Sequence, residues 1–231
     1  MAKKDTNIEF EEIDGAGAKD IETSGIENLQ NTFEKNKNII FGGLAVVILL
    51  IVGGYYYKNI YMPQAEMSAN EEMFEAEYYF EQDSFALALN SSGGFLDIIE
   101  NHGGTKAANL AKYYAGLCYY NLANYPEAID YLSDFSTNDD ILGSLSLKVL
   151  ADAQMENGDT ESALKTYKKA ANFSNNEAST PSILKVAGLA FETNKNYKQA
   201  LEFYTKIKKE FPGSEVARDI DKYIGRVQAQ L

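Results

Sequence analysis

The sequence predicts an all-α protein in which a single N-terminal transmembrane helix precedes an α-solenoid that ends in a capping helix. Three observations predict this architecture. Residues 39–57 carry no charge, apolar residues further on recur at helical spacing, and one alanine pattern returns three times after residue 106. We therefore expect residues 58–105 to form a linker and a degenerate helical repeat, and residues 106–231 to form the repeats and the cap.

The apolar run is long enough to cross a bilayer, because nineteen residues at about 1.5 Å each approach the ~30 Å of a hydrocarbon core. Three consecutive tyrosines, Tyr55 to Tyr57, stand at its end, where aromatic rings favour the membrane–water boundary. A buried core helix is the alternative, but such a helix usually has a polar face and this run has none. Since the run starts only at Ile39, we expect a retained anchor rather than a cleaved signal peptide.

The charges beside the anchor predict its orientation. Lys35 and Lys37 precede the run, whereas only Lys58 follows it closely. Because positive charge favours the cytoplasmic side, we expect residues 1–38 to be cytoplasmic. This tail is acidic and poor in apolar residues, so it is predicted to be mostly disordered, with its last dozen residues as a possible helical extension of the anchor. A partner-binding motif around Ile8–Ile13 is the alternative to a solvated tail.

Pro63 is expected to break or bend the helix that follows the anchor, because proline lacks the backbone N–H. Helical spacing then predicts a long amphipathic helix over residues 64–82 and two shorter helices over 85–89 and 95–99. The sequence NHGG that follows is predicted to be a turn, and its His102 is interpreted as a turn residue rather than a ligand.

Three segments of the second half align on an alanine that follows a small residue by twelve positions and precedes a large residue by four. Two helices of a hairpin can approach closely only where both present small side chains, and a large residue one turn later fills the next layer. The small residues are Gly116, Ala151 and Gly188; the alanines are Ala128, Ala163 and Ala200; the large residues are Leu132, Tyr167 and Tyr204.

The connections between these helices carry turn signals. Asn and Gly in residues 123–126, 157–159 and 194–197 are expected to take the left-handed conformation that ends a helix. Thr180–Pro181 is predicted to be an N-cap followed by the first helical residue. Residues 212–214 are predicted to stop one helix and cap the final helix, which runs from 215 to about 230 with one apolar face.

This pattern resembles the tetratricopeptide repeat over residues 109–212. The resemblance rests on the small-x₂-aromatic pairs Gly116/Tyr119 and Gly188/Phe191, on the aligned alanines, and on Pro212 after the third hairpin. The sequence departs from the family where Lys112, Leu147 and Leu184 replace an aromatic residue near the start of each repeat. The resemblance implies a solenoid that binds protein partners.

The register of the repeats projects ten side chains into a groove lined by the first helix of each hairpin. The first part of this groove is aromatic and apolar, which suits a peptide partner. The alternative is that its tyrosines pack against the helices at 64–99. The predicted groove residues are Tyr113, Leu117, Tyr120, Asn121, Lys148, Asp152, Met155, Lys185, Leu189 and Glu192.

Little in the sequence indicates catalysis or a cofactor. A nucleophile–base pair would have to combine the single cysteine, Cys118, with the single histidine, His102. Cys118 falls in a repeat helix on the side expected to pack inward, so we interpret it as a small buried hydrophobic residue. The sequence has neither a phosphate-binding loop nor metal-ligand spacing, and a net charge of −13 argues against nucleic acid. We expect a protein that is not an enzyme.

A short acidic tail, one anchor and an exported repeat domain resemble the YfgM-like ancillary subunits of the SecYEG translocon. The resemblance implies an inner (cytoplasmic) membrane protein with a periplasmic repeat domain. It also implies that the protein acts with the translocon and a PpiD-like membrane-tethered chaperone on secreted or membrane proteins. Two alternatives stay open: a scaffold for another envelope machine, in division, secretion or outer-membrane biogenesis, and an enzyme.

Overall fold

The structure is a computed structural model that describes the backbone of residues 16–231 and the side chains of residues 33–231. Within these residues all regular secondary structure is helical. The chain divides into two compact units, Met1–Tyr61 and Met62–Leu231. The all-α prediction is confirmed.

The first unit contains one long helix, α1, which covers Ala16–Tyr56, followed by a π-helical segment, Tyr57–Tyr61. Every residue from 39 to 57 is exposed, so the apolar run is not a core helix. The helix begins well before the run, which differs from the disorder expected for the tail. No proline occurs before residue 63, and a helix already nucleated in the apolar run extends at little cost. The alternative motif at Ile8–Ile13 lies outside the described residues.

The second unit starts with a helix where a break was expected. Helical residues continue from α1 through the π-helical segment into α2, whose second residue is Pro63. The chain is therefore not broken at Pro63. The effect of its missing N–H coincides with a change of helix type, because the π-helical residues Tyr57–Tyr61 lie directly before α2.

Ten helices build the second unit. The long helix and the two short ones predicted before residue 101 are present as α2, α3 and α4, and the turn expected at NHGG follows α4. The helices are α2 (Met62–Glu81), α3 (Phe85–Asn90), α4 (Phe95–Asn101), α5 (Lys106–Asn121), α6 (Tyr125–Asp134), α7 (Asp140–Glu156), α8 (Thr160–Phe173), α9 (Thr180–Thr193), α10 (Tyr197–Glu210) and α11 (Ile220–Gln228), with a 3₁₀ segment at Glu215–Asp219.

The predicted repeats are the hairpins α5–α6, α7–α8 and α9–α10. Their apolar side chains form two separate clusters of buried residues. One cluster joins α2 to α5 and ends at Cys118, and the other joins α7 to α11 and begins at Ala151. The aligned alanines Ala128, Ala163 and Ala200 are fully buried, as the alignment predicts.

In the first and third hairpins the glycine of the first helix makes room for the large residue of its partner helix. A Cβ added to Gly116 would lie 2.5 Å from Cγ of Leu132, and one added to Gly188 would lie 2.3 Å from Cε1 of Tyr204. Contacts of that length do not occur between real Cβ atoms, so only glycine fits. The sequence analysis paired the small residue with the alanine, whereas its nearest neighbour here is the large side chain.

The turns inside the three hairpins share one hydrogen-bond pattern, in which three successive N–H groups bond to carbonyls four, three and five residues back. The middle residue of each turn has a positive φ: Ala123 (56°), Gly158 (86°) and Lys195 (60°). The asparagines therefore do not take the left-handed conformation that we expected of them, and only Gly158 matches that prediction. The tertiary position of the turn imposes φ > 0 on an alanine and a lysine.

The C-terminal part follows the predicted pattern with two differences. Ser179, not Thr180, occupies the N-cap position of α9, so Thr180 and Pro181 are its first two residues. Ser214 caps the next segment as expected, since its hydroxyl accepts from the N–H of Ala217. That segment is a 3₁₀ turn before α11 begins at Ile220, and α11 buries Ile220 and Val227 against the second cluster.

Candidate partner-binding groove

The ten predicted groove residues lie on the first helices α5, α7 and α9. None of them is buried; nine are partly exposed and Asn121 is exposed. This is the exposure expected of residues that line a surface, but their side chains differ in how far the fold already uses them.

On α5 the tyrosines pack against neighbours on the α6 side. The ring of Tyr113 lies 5.4 Å from that of Phe135, and burial raises the pKa of Tyr113. The ring of Tyr120 lies 5.9 Å from that of Tyr125. The alternative packing against the helices at 64–99 instead involves Tyr114, whose ring stacks on that of Phe95 at 5.0 Å.

On α7 the carboxylate of Asp152 has two polar partners. Asp152 Oδ2 lies 2.6 Å from Nζ of Lys148, and the hydroxyl of Tyr167 on α8 donates to Asp152 Oδ1 at 2.5 Å. Burial raises the pKa of Tyr120, and the carboxylates of Asp152 and Glu156 add to the rise. The α5 and α7 parts of the groove are therefore in electrostatic contact.

On α9 two of the three predicted residues are covered by the C-terminal helix. Glu192 accepts from Arg226 at 2.5 and 2.8 Å and from the hydroxyl of Tyr204 at 2.8 Å. The hydrogen bonds from Arg226, and to a lesser extent from Tyr204, hold the pKa of Glu192 below its ordinary value. Lys185 pairs with Asp219 at 3.2 Å and lies 4.8 Å from the ring centre of Tyr223.

The part played by the C-terminal segment was not predicted. Asp219, the N-cap of α11, and Tyr223 and Arg226 within α11 are four and then three residues apart, which is the spacing of neighbours on a helix surface. That spacing was readable from the sequence. It could not by itself show that the face meets Lys185 and Glu192.

The apolar groove residues are the ones that the fold leaves without a polar partner. Leu117, Met155 and Leu189 stand one on each first helix and are all partly exposed. Leu189 and Glu192 also line a cavity of about 490 Å³ beside α11. In the repeat register Leu117 and Leu189 share one position, and Met155 lies one turn further along its helix. The predicted groove would thus combine these apolar side chains with charges that are already paired.

The chemistry-bearing residues outside the groove are engaged in packing. Cys118 is fully buried, and burial raises the pKa of its thiol to about 12. Nε2 of His102 lies 3.1 Å from Oε1 of Glu72, which ties α4 to α2. Among the described side chains, no group of three or more His, Cys, Asp or Glu is placed to hold a metal ion.

Stacked helical hairpins with a shared turn, a small–large contact inside the first and third hairpins and a helical cap define an α-solenoid of the tetratricopeptide class. Residues 110–139 and 148–215 match family models of the tetratricopeptide repeat. The chain thus carries these repeats, whose general role is protein–protein interaction. Comparison with curated protein sequences gave no significant match.

Proposed function

We propose that this protein is a membrane-anchored interaction scaffold whose repeat domain binds a protein partner through the groove. The observation that carries the proposal is the fully exposed apolar run of residues 39–57 on the same chain as the repeats. Among the described residues, one helix near the N-terminus is long and apolar enough to cross a membrane. An exposed run of nineteen uncharged, predominantly apolar residues is unfavourable in water and favourable in lipid.

The proposal places the protein in the inner membrane with a cytoplasmic N-terminus and a periplasmic repeat domain. Lys35 and Lys37 before the anchor, against Lys58 after it, support this orientation. Protease added to intact spheroplasts should digest residues 58–231 and spare the tail, while permeabilised cells should lose both. Protection of the repeat domain in intact spheroplasts would reverse the orientation.

We also infer that α2 and α3 form a degenerate first hairpin. The turn between them carries the same three hydrogen bonds as the turns of the repeats, and its middle residue, Asp83, has φ of 54°. This inference extends the solenoid to Met62.

The proposed partners are the SecYEG translocon and a PpiD-like membrane-tethered chaperone, with secreted or membrane proteins as clients. The architecture supports this choice, because one anchor would tether an exported repeat domain to the membrane. Apolar groove side chains among charges that are already paired suit the apolar segments of proteins that emerge from a translocon.

A matched pair of variants tests the groove. Leu117→Ala/Tyr120→Ala removes two of the predicted groove side chains on α5 and keeps Tyr113, which packs on Phe135. Because Tyr120 also meets Tyr125, cooperative unfolding of the variant checks that the fold survives the change. Leu87→Ala/Tyr78→Ala makes the same chemical changes at side chains 52 % and 55 % exposed on α3 and α2. Crosslinking in membranes followed by mass spectrometry of proteins copurified in mild detergent should show loss of the partners from the first variant only.

A third variant separates the groove from the anchor. Replacing residues 39–57 by an unrelated apolar helix should keep copurification if the groove makes the main contact. Loss on this replacement, together with wild-type binding by Leu117→Ala/Tyr120→Ala, would transfer the contact to the membrane. Recovery of division, secretion or outer-membrane assembly proteins in place of the translocon would favour the alternative envelope scaffold.

A further inference from the structure

The first helix of the second unit, α2, has two sides of opposite exposure. One side carries Ala69, Met73 and Ala76, which are buried in the first cluster of apolar residues. The opposite side carries four exposed residues spaced four, three and four residues apart, so they form one line along the helix surface. Three of the four are apolar, and they are 63 %, 75 % and 55 % exposed. We call this line the end face, and it consists of Met67, Glu71, Phe74 and Tyr78.

The next first helix, α5, shows how the fold uses the corresponding face. Asp83 and Ala123 occupy the same place in turns with the same hydrogen bonds, so α2 and α5 align when Asp83 is placed on Ala123. Three of the four residues that then match the end face are buried in the cluster that α5 shares with α2, α3 and α4. The fourth, a tyrosine, stacks its ring on that of Phe95 in α4. These residues of α5 are Ala107, Ala111, Tyr114 and Cys118.

The later first helices use the same face in the same way. In the alignment on the alanines, every corresponding residue of α7 and α9 is buried or partly buried. Each first helix therefore stacks this face on the repeat before it. The second unit begins with α2, so within that unit no repeat precedes it and its stacking face stays open. The terminal face of a solenoid is usually polar, whereas this one presents three large apolar side chains.

The charges of α2 indicate what covers this face. The helix contains six glutamates and neither lysine nor arginine, and residues 62–105 contain nine acidic residues and again neither base. Glu71 lies within the end face, and Glu75 and Glu81 border it at helical spacing. Among the described side chains, His102 is the only basic one that pairs with α2, through Glu72. A second copy of α2 or an anionic lipid surface would set like charges against these glutamates.

We propose that the end face binds a basic amphipathic helix of a protein partner, which stacks on α2 as a further helix of the solenoid. The apolar side chains of that helix cover Met67, Phe74 and Tyr78, and a lysine or arginine reaches Glu71. The proposal rests on the inference that α2 and α3 form a degenerate first hairpin. It does not depend on the groove, because none of the ten predicted groove residues lies on α2.

A designed peptide tests the proposal with the full chain in phosphatidylcholine nanodiscs. It consists of three copies of Leu-Ala-Lys-Leu-Lys-Ala-Lys, which gives a helix with an apolar line flanked by lysines. A fluorescein label reports binding through its anisotropy. The peptide should bind the chain more tightly than it binds empty nanodiscs. A sister peptide with glutamate in place of every lysine should bind the chain at least about tenfold more weakly.

A pair of variants locates the apolar contact. Met67→Ala/Phe74→Ala should weaken binding of the basic peptide at least about tenfold, because a few large side chains dominate such interfaces. Leu122→Ala/Ile141→Ala shortens exposed apolar side chains that lie outside both the end face and the groove, so it should leave the affinity unchanged. Cooperative unfolding in urea checks that both variants keep the fold.

A second pair locates the charge contact. Glu71→Lys reverses a charge inside the end face, so it should weaken binding of the basic peptide about tenfold and reduce its dependence on salt. Glu202→Lys makes the same change at an exposed glutamate of α10 and should bind as the wild type does.

Comparison with the groove variants separates this proposal from the proposed function. Leu117→Ala/Tyr120→Ala should bind the basic peptide normally, whatever happens to the partners of the groove. Leu87→Ala/Tyr78→Ala removes one side chain of the end face, so it should weaken binding of the peptide while it keeps those partners. Failure of the groove would thus leave the end face standing, and the reverse.

Crosslinking identifies the occupant in intact membranes. Benzoylphenylalanine in place of Phe74 should crosslink to a basic helical segment of another protein, and Glu71→Lys should remove that product. A crosslink to lipid or to a second copy, or a product that Glu71→Lys leaves unchanged, would overturn the proposal. Equal binding of the two peptides, wild-type binding by Met67→Ala/Phe74→Ala, or binding no tighter than to empty nanodiscs would overturn it as well.

Discussion

Replacing Gly188 with alanine should destabilise the repeat domain, although the same change normally stabilises a helix. Gly188 lies inside α9, where a Cβ would meet Cε1 of Tyr204 at 2.3 Å and two further ring atoms at 2.9 Å. Ordinary contact begins at 3.4 Å, so the ring would have to move by about 1 Å. Tyr204 is fully buried and its hydroxyl is bonded to Glu192, so it cannot move freely.

The expected magnitude follows from three contributions. Overpacking costs about 1–3 kcal/mol, and a weakened bond to Glu192 costs about 1 kcal/mol more. The gain from replacing glycine in a helix offsets about 0.5–1 kcal/mol. Gly188→Ala should therefore lower the free energy of unfolding by about 1–3 kcal/mol.

Gly225→Ala is the matched control. Gly225 lies inside α11 and is exposed, and a Cβ there would meet nothing within 4 Å. This variant should gain about 0.5–1 kcal/mol from helix propensity alone. Urea unfolding of both variants, followed by far-ultraviolet circular dichroism, measures the difference. Equal midpoints for the two variants would refute the contact argument.

The middle hairpin suggests a rescue. Its small residue is already an alanine, Ala151, and the hydroxyl of Tyr167 bonds to the next residue, Asp152. The residue after Gly188 is Leu189, which cannot accept a hydrogen bond. Gly188→Ala/Leu189→Asp should therefore be more stable than Gly188→Ala, and a less stable double variant would reject this account of the tyrosine.

Three further predictions concern single side chains. Cys118 should resist alkylation at pH 7 in the folded protein and react after unfolding in urea, because burial raises the pKa of its thiol to about 12. Glu192→Gln should lower the free energy of unfolding by about 1 kcal/mol above pH 4.5. Arg226 and Tyr204 lower the pKa of Glu192 in the folded state, so this difference should vanish as the pH falls through that lowered pKa. Urea titrations at several pH values measure it. Lys195→Gly should raise the free energy of unfolding by about 0.5–1 kcal/mol, because lysine has φ of 60° at this position and glycine takes it without strain. The variant should therefore have a higher urea midpoint.

The hairpin repeat was predictable because its determinants are local and periodic. The spacing of the buried alanines sets the register, and the register places the first and second helices. Helix ends were less predictable, as the shift of the N-cap from Thr180 to Ser179 illustrates. Capping bonds decide such ends, and several residues in that loop can make them.

The left-handed turn residues show why the rest of the fold could not be predicted. Composition favours Asn or Gly at φ > 0, yet Ala123 and Lys195 take this conformation. Each turn joins two helices that pack along their length and closes three hydrogen bonds to carbonyls of the first of them. The packing outweighs a local penalty of about 1–2 kcal/mol, and only the whole hairpin reveals that balance.

The groove and the middle hairpin differ in what the sequence could reveal about them. The groove residues follow from the repeat register, but contacts with Arg226 and Asp219 decide which of them the fold already pairs. Tyr119 stacks on Tyr131 in the first hairpin and Phe191 meets Phe203 in the third, whereas the aligned residues of the middle hairpin are Gln154 and Thr166. This difference is readable from the alignment, but the open cleft of about 470 Å³ beside it depends on how α6 packs on α7 and α8.

A solenoid can tolerate such a local vacancy because each repeat contacts only its neighbours. In a domain with one continuous core, the loss of two rings would weaken every layer that packs on them. Here Tyr119 and Tyr131 pack against the cluster of α2 to α5, and Phe191 and Phe203 belong to the cluster of α7 to α11. The hairpins on either side of the middle one therefore have ring pairs of their own, and a middle hairpin without such a pair is compatible with their packing.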